Sequence, residues 1–208
     1  MKITKFVHSC LLVEMPDRTA LFDPGVYSTV DVDKLQYLDD IFITHIHADH
    51  LNIELVKKLA AKFPEVRITT TPEIVEQLQA EGVRASAEPP EGAVFFDSPH
   101  EFLAPLIPKP PQEVGVHYLD KLSHPGDSHS FKETKAILAL PMQAPWGSTT
   151  AAAKLAADLK PRYIIPIHDW HWNDEARTSM YDRFEQLFKE QGITFIKPIN
   201  GEPFKIDL

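Results

Sequence analysis

The chain has 208 residues, 43% of them hydrophobic, which is enough for one substantial core and too little for two ordinary domains. A formal charge of −9 disfavours a polyanionic partner, because nucleic-acid binding leans on basic surface, so neither DNA nor RNA is expected as a ligand. A single cysteine, Cys10, leaves no partner for an internal disulfide and suits a reducing compartment; with no apolar stretch and cleavage site at the start, a cytoplasmic location is expected.

Residues 2–7, 11–15 and 19–22 are short apolar or alternating runs separated by turn residues, the pattern of antiparallel strands, and Asp23-Pro24-Gly25 ends the third. Ile41-Phe42-Ile43-Thr44 is a continuous run of the buried-strand kind that stops at His45. Over residues 53–63, Leu55, Val56, Leu59, Ala60 and Phe63 recur at helical period with Lys57, Lys58 and Lys62 opposite, and Pro64 closes the segment. The histidine-rich stretch between them is therefore a strand-to-helix loop. Residues 66–70 read as a strand, followed by Thr71 as N-cap, Pro72 in the first turn and a helix running to Gly82.

Residues 94–96, 101–104, 114–119 and 136–140 form a second set of predicted strands, with a stiff loop over 105–113 that holds prolines at 105, 108, 110 and 111. A helix over 149–159, a strand over 163–167 ending at His168, and a helix capped by Asn173 with the apolar face Met180, Tyr181, Phe184, Leu187 and Phe188 follow; short strands close the chain. The uncharged stretch 136–153 is broken by Pro141, Pro145 and Gly147, so no membrane helix is expected there. Strands early, helices interspersed and a second strand-then-helix half predict two sheets packed face to face with helices outside, in a single domain over 1–208.

The segment Thr44-His45-Ile46-His47-Ala48-Asp49-His50 places three imidazoles and a carboxylate in six residues directly after a buried strand. Such donors suit borderline divalent cations such as zinc. In an irregular loop, His45 and His47 point one way while Asp49 and His50 turn to a second position roughly 3.5–4 Å away, so one loop serves two ions. Later candidates are His100 after Ser98-Pro99, His117, the stretch Ser123-His124-Pro125-Gly126-Asp127-Ser128, and the apolar strand that ends in His168.

The segment resembles the HxHxDH signature of the metallo-β-lactamase superfamily, and the order of the later donors agrees over nearly the whole length. The resemblance implies an α/β (α+β) fold, a four-layer αββα sandwich of two mixed β-sheets flanked by helices, with two divalent metal ions: Zn2+ first, Mn2+ or Fe2+ otherwise. It also implies that a further histidine joins His45 and His47, that a last histidine joins Asp49 and His50, and that an aspartate bridges both ions. Asp127 is the expected bridge, in what looks like the family's Gly-Asp loop, and His168 the last ligand, in what is similar to its proline-x-histidine ending. No glycine-histidine-threonine motif marks the remaining ligand; of His100, His117 and His124, His100 is preferred, as in the small ascorbate-6-phosphate-lactonase-like branch. Asp49 and His124 are the candidate catalytic residues, His124 being placed to orient the bridge, contact substrate or donate a proton. His8 and Asp23 resemble the family's N-terminal histidine and Asp-Pro turn, with a buttressing role, and Trp146, Trp170, His171 and Trp172 are candidates for a pocket wall.

The function implied is a binuclear metal-dependent hydrolase that uses a metal-bridging hydroxide on a small lactone, ester or phosphoester. Diiron flavoprotein members carry glutamate where this chain has His47 and need a flavin domain; secreted lactam-degrading members need an export signal; RNA-processing members add a basic module. The competing readings are a metal-binding sensor or scaffold with little or no turnover, and a phosphodiesterase acting on nucleotides. Residues 105–113 are the preferred specificity element.

Overall fold

The structure, a computed structural model, describes residues 1–102 and 109–208. Its first half runs β1 (Lys2–Lys5), β2 (Leu11–Glu14), β3 (Thr19–Phe22), a 3₁₀ turn (Val32–Lys34), β4 (Asp40–Phe42), α1 (Ile53–Lys62), β5 (Arg67–Thr69) and α2 (Pro72–Ala80). The second half runs β6 (Ala93–Phe96), β7 (Gly115–Tyr118), β8 (Leu122–His124), β9 (Ile137–Pro141), α3 (Thr149–Leu159), β10 (Tyr163–Ile167), α4 (Asp174–Lys189), β11 (Thr194–Phe195) and β12 (Pro203–Lys205).

The strands form two six-stranded mixed sheets, ordered β12-β1-β2-β3-β4-β5 and β11-β10-β9-β8-β7-β6. Period-two alternation sorts each strand's side chains between two cores. Leu11 and Val13 of β2, with Phe22 and Phe42, meet Val116, Tyr118, Ala139 and Ile165 between the sheets. Leu12, Leu21 and Ile41 face outward onto Val56 and Leu59 of α1 and Ile74 and Leu78 of α2. Leu138, Leu140 and Ile164 face the other way, onto Ala152 and Ala156 of α3 and Tyr181, Phe184 and Phe188 of α4. The result is the four-layer αββα sandwich, with β3–β4–β5 and β8–β9–β10–β11 parallel and the other pairs antiparallel.

Two expectations change. Glu101 and Phe102 lie in no strand: the Glu101 backbone N–H donates to the Asp127 carbonyl at 3.0 Å, and its carboxylate accepts from His129 N and Ser130 Oγ, so this segment braces a loop. Residues 103 and 104 of that expected strand and 105–108 of the expected specificity loop lie outside the described residues. Conversely, Leu122–His124 is a strand where a loop was expected. Its hairpin with β7 turns through Leu119 (φ 51) and Asp120 (φ 53), left-handed positions filled without the Asn-Gly or Asp-Gly signal that usually marks such a turn. Among the described residues, no helix is long and apolar enough to cross a membrane.

Candidate metal centre

The centre forms where β3, β4 and β10 end, at the carboxyl edge of parallel strand pairs, where chain reversals leave polar groups facing a crevice. The loop after β4 turns tightly, with the His50 and Leu51 N–H groups both donating to the His47 carbonyl at 2.9 Å, and hands over to α1 through Asn52, whose side chain caps Leu55 N at 3.1 Å. Gly25 in the turn after β3 lets two loops touch: a Cβ there would lie 1.8 Å from the Asp49 carbonyl oxygen.

Two donor clusters result, each with its atoms within 4.8 Å of one another: His45, His47, His100 and Asp127 in one, His8, Asp49, His50 and His168 in the other. The Asp127 carboxylate reaches both, with Oδ1 2.9 Å from His50 Nε2, and Oδ2 3.1 Å from His168 Nε2 and 3.8 Å from His100 Nε2. Of the expected ligands, the structure thus brings all seven together. Of the alternatives to His100, His117 lies away from the centre, bonded to Ser123 Oγ at 2.8 Å and stacked on Phe96.

The outer ring nitrogens of His50, His100 and His168 are committed, which leaves their inner ones to face the centre as lone-pair donors once a metal is bound. His50 Nδ1–H donates to Asp23 Oδ2 at 2.7 Å, His100 Nδ1–H to the Glu101 carbonyl at 2.8 Å, and His168 Nδ1–H to the Gln143 carbonyl at 2.7 Å. Thr44 Oγ1 donates to Asp23 Oδ2 and lies 3.1 Å from His45 Nδ1. The inward atoms His45 Nε2, His50 Nε2, His168 Nε2 and Asp127 Oδ1 are buried without a hydrogen-bond partner, and His47 Nδ1 and His100 Nε2 aim at one point from 3.2 Å apart. Buried, unpartnered acceptors are costly in a native core, and a shared cation satisfies all of them, so the residues fit a divalent metal.

Charge inside the cluster follows the same geometry. Burial opposes a charge on His168 and His50, yet Asp127 outweighs it, raising His168 to about 9 and His50 well above its ordinary value, the latter helped by Asp23. Burial would raise Asp49, but the neighbouring His168, 3.5 Å away, and the hydrogen bond with His8 hold it well below the usual carboxylate range; Asp127 is lowered by His168 and His50. Burial pushes His45 well down and His8 to about 4.

His124 is buried off the clusters. Its Nε2–H donates to the Ser9 carbonyl at 3.0 Å, its ring stacks on Phe22, and Nδ1 lies 3.7 Å from Asp23 Oδ2. That position fits support of Asp23 and does not fit proton donation to a leaving group. Trp146 donates its indole N–H to Asp127 Oδ2 at 3.0 Å, and Trp170 is 45% exposed and stacks on Tyr27 with ring centroids 4.0 Å apart; His171 stands between that pair and His168. Trp172 turns inward to Gln143 and the α3–α4 core.

Glu113 escaped the sequence reading. Its side chain is fully buried, accepts the Asp127 backbone N–H, and lies 3.7 Å from His45 Nδ1; a Cβ on Gly126 (φ 70) would sit 1.9 Å from its oxygen. Burial, and then the Asp127 charge, push its carboxyl well above the ordinary range. A lone glutamate after a proline-rich loop carries no motif, so no local signal marks it.

Residues 2–168 match the family model described as Beta-lactamase superfamily domain. The chain is 29% identical over 213 residues to protein Rv0786c of Mycobacterium tuberculosis, covering 94% of this chain and 100% of that one. Igni18, a metallo hydrolase from the archaeon Ignicoccus hospitalis, superposes with a TM-score of 0.71 at 16% identity over 99% of both chains. The isothiocyanate hydrolase from Delia radicum gut bacteria does so with a TM-score of 0.68 at 16% identity, again over 99% of both. With the family match extending from the first strand to the last of the expected ligands, the chain belongs to the beta-lactamase superfamily and has the metallo-β-lactamase fold shared by metal-dependent hydrolases.

Proposed function

We propose that this protein is a binuclear metal-dependent hydrolase acting on a small lactone, ester or phosphoester. One ion would be held by His45, His47, His100 and Asp127 and a second by Asp49, His50 and His168, with Asp127 placed to serve both. The observation that carries this is the convergence of buried, unpartnered donor atoms whose opposite ring nitrogens are already committed to hydrogen bonds. Imidazole and carboxylate donors make Zn2+ the first choice, with Mn2+ or Fe2+ next.

When bound, such a pair supplies Lewis-acid polarisation of the scissile group and activation of water. The chain's own contribution is to hold the donors without reorganisation, through Asp23, Thr44 and the Glu101 and Gln143 carbonyls. Asp49, 23% exposed, is a donor that also faces substrate, and it is the catalytic carboxylate in this reading. Trp146 and the Tyr27–Trp170 stack flank the opening and orient the non-reacting part of a small molecule. An acidic, cytoplasmic protein without a nucleic-acid partner completes the reading.

The test pairs metal analysis with a panel of lactones, esters and phosphodiesters. Two ions per chain are expected, and Asp127→Ala should lose activity by more than about 100-fold together with metal, since outer partners of ligands alone are worth about 10- to 100-fold. Fewer than one tightly bound ion, with ligand variants unchanged, refutes the metal centre. A fully loaded protein inert across the panel favours the sensor instead.

A further inference from the structure

We infer that His8 is a fourth protein ligand of the second ion, joining Asp49, His50 and His168; this rests on the two-ion reading above. His8 comes from the turn between β1 and β2, in a part of the first sheet remote in sequence from the other donors. Its Nε2 nevertheless lies 3.0 Å from Asp49 Oδ2, and its ring centroid lies 4.1 Å from that of His168 and 5.7 Å from that of His50. Donors about 2.0–2.2 Å from one tetrahedral ion stand roughly 3.3–3.6 Å apart, so this cluster, whose atoms all lie within 4.8 Å, needs shifts of about 1 Å to close on one ion. The same close approach marks the other inward pairs: His50 with Asp127 at 2.9 Å, His168 with Asp127 at 3.1 Å and His47 with His100 at 3.2 Å.

The backbone is bent to put the ring there. Val7 (φ 66) and His8 (φ 51) are successive left-handed residues, closed by Phe6 N–H to Cys10 O at 2.8 Å and Cys10 N–H to Val7 O at 3.1 Å. Histidine tolerates that region, but a β-branched valine does so only where the surroundings over-determine it. Those surroundings are visible. Lys5 Nζ, buried, bonds Asp169 Oδ1 at 2.7 Å, tying the strand that leads into His8 to the residue that follows His168. The two turns that carry His8 and His168 are therefore clamped as one unit, although they belong to different sheets. With His8 included, the second ion has three imidazoles and Asp49 in addition to the shared Asp127, against three imidazoles and Asp127 for the first. The richer set predicts that the second position fills first as metal is added.

The test uses the full chain loaded with Co2+. In the wild type, each ligating ring leaves one exchangeable N–H that shifts in the paramagnetic proton spectrum, so six such resonances are expected, from His8, His45, His47, His50, His100 and His168. Five, with two ions bound, overturn the assignment of His8 and leave the two-ion reading standing. A wild type that takes up only one ion overturns both. His8→Ala and His8→Gln are then titrated against a chelator. The ion at the second position should bind more than about 100-fold more weakly in both and change its visible absorption, while the ion at the first position keeps its affinity and so reports an intact fold. Glutamine still offers an N–H to Asp49, so wild-type affinity and spectrum in His8→Gln would show a hydrogen-bonding role only and overturn the ligand.

Discussion

Asp23→Asn is a perturbation whose consequence can be worked from the geometry. Asp23 is fully buried and accepts three hydrogen bonds, from Thr44 N at 2.8 Å, Thr44 Oγ1 at 2.8 Å and His50 Nδ1 at 2.7 Å. An amide keeps one acceptor, enough for Thr44 N, and turns the other position into a donor. A donor facing His50 Nδ1 is accommodated only if that nitrogen carries a lone pair, which moves the ring proton to Nε2, the atom 2.9 Å from Asp127 Oδ1. His50 would then present a hydrogen where the second ion needs an electron pair. Loss of such outer partners costs about 10- to 100-fold in metal affinity, or about 1.4–2.7 kcal/mol. The expected result, read by chelator competition with metal counting, is that drop for the second ion, with a smaller one for the first because Thr44 Oγ1 loses its acceptor beside His45. Thr44→Val is the control: it spares the Asp23–His50 bond and removes the hydroxyl beside His45 Nδ1, so it should weaken the first ion instead. Asp23→Asn protein that binds both ions like the wild type would refute the tautomer argument and reduce Asp23 to a cap for Thr44.

Two further outcomes follow from buried charge. Lys5→Met leaves buried Asp169 with Arg177 Nε at 3.4 Å and the Tyr181 hydroxyl as its remaining partners, so the loss falls short of the roughly 3–5 kcal/mol of an uncompensated pair, at about 1–3 kcal/mol, measurable by urea denaturation; no measurable loss would refute the clamp. The second outcome concerns metal-stripped protein: the folded value for His168 is about 9 against an ordinary 6.5, so its stabilisation is complete below about pH 6.5 and disappears as pH rises through 9. Metal must displace that proton, so affinity should climb over the same window. Melting curves between pH 6 and 10, with and without chelator, check both, and a stripped protein with a flat profile would contradict the assigned His168–Asp127 pairing.

What could be read from the chain was whatever is encoded at short range. The Ile41–Thr44 run declared a buried strand because both its faces meet apolar layers, and the lysine-backed face of α1 declared its orientation because Val56 and Leu59 recur at helical spacing. The donors in 45–50 were legible for the same reason: one loop carries them. Glu113 touching the Asp127 backbone, or Lys5 reaching Asp169 across 164 positions, has no signature in spacing, since each depends on how two sheets are superposed. A lysine in a four-residue strand gives no sign that its amine is buried. The strand Leu122–His124 was hidden differently, because its turn places leucine and aspartate where glycine or asparagine would have announced a reversal.

The distribution of backbone strain ties these parts together. Among the described residues, seven that are not glycine have left-handed φ: Leu119 and Asp120 make the β7–β8 turn and Lys160 caps α3, while Val7, His8, Asp23 and His168 cluster where β1, β3 and β10 end. Aspartate and histidine enter that region at small cost, so Asp23, His8 and His168 are sequence choices compatible with their geometry. Val7 is the exception, and a sparsely populated conformation costs about 1–3 kcal/mol, a sizeable part of the roughly 5–15 kcal/mol by which a domain is stable. A plain hairpin between β1 and β2 needs no valine there. What that conformation does achieve is the direction of the next ring, and the Lys5–Asp169 pair two residues before it supplies the rigidity to keep it. Strain, buried ion pair and close donor contact therefore point at the same atom, His8 Nε2, from three independent directions.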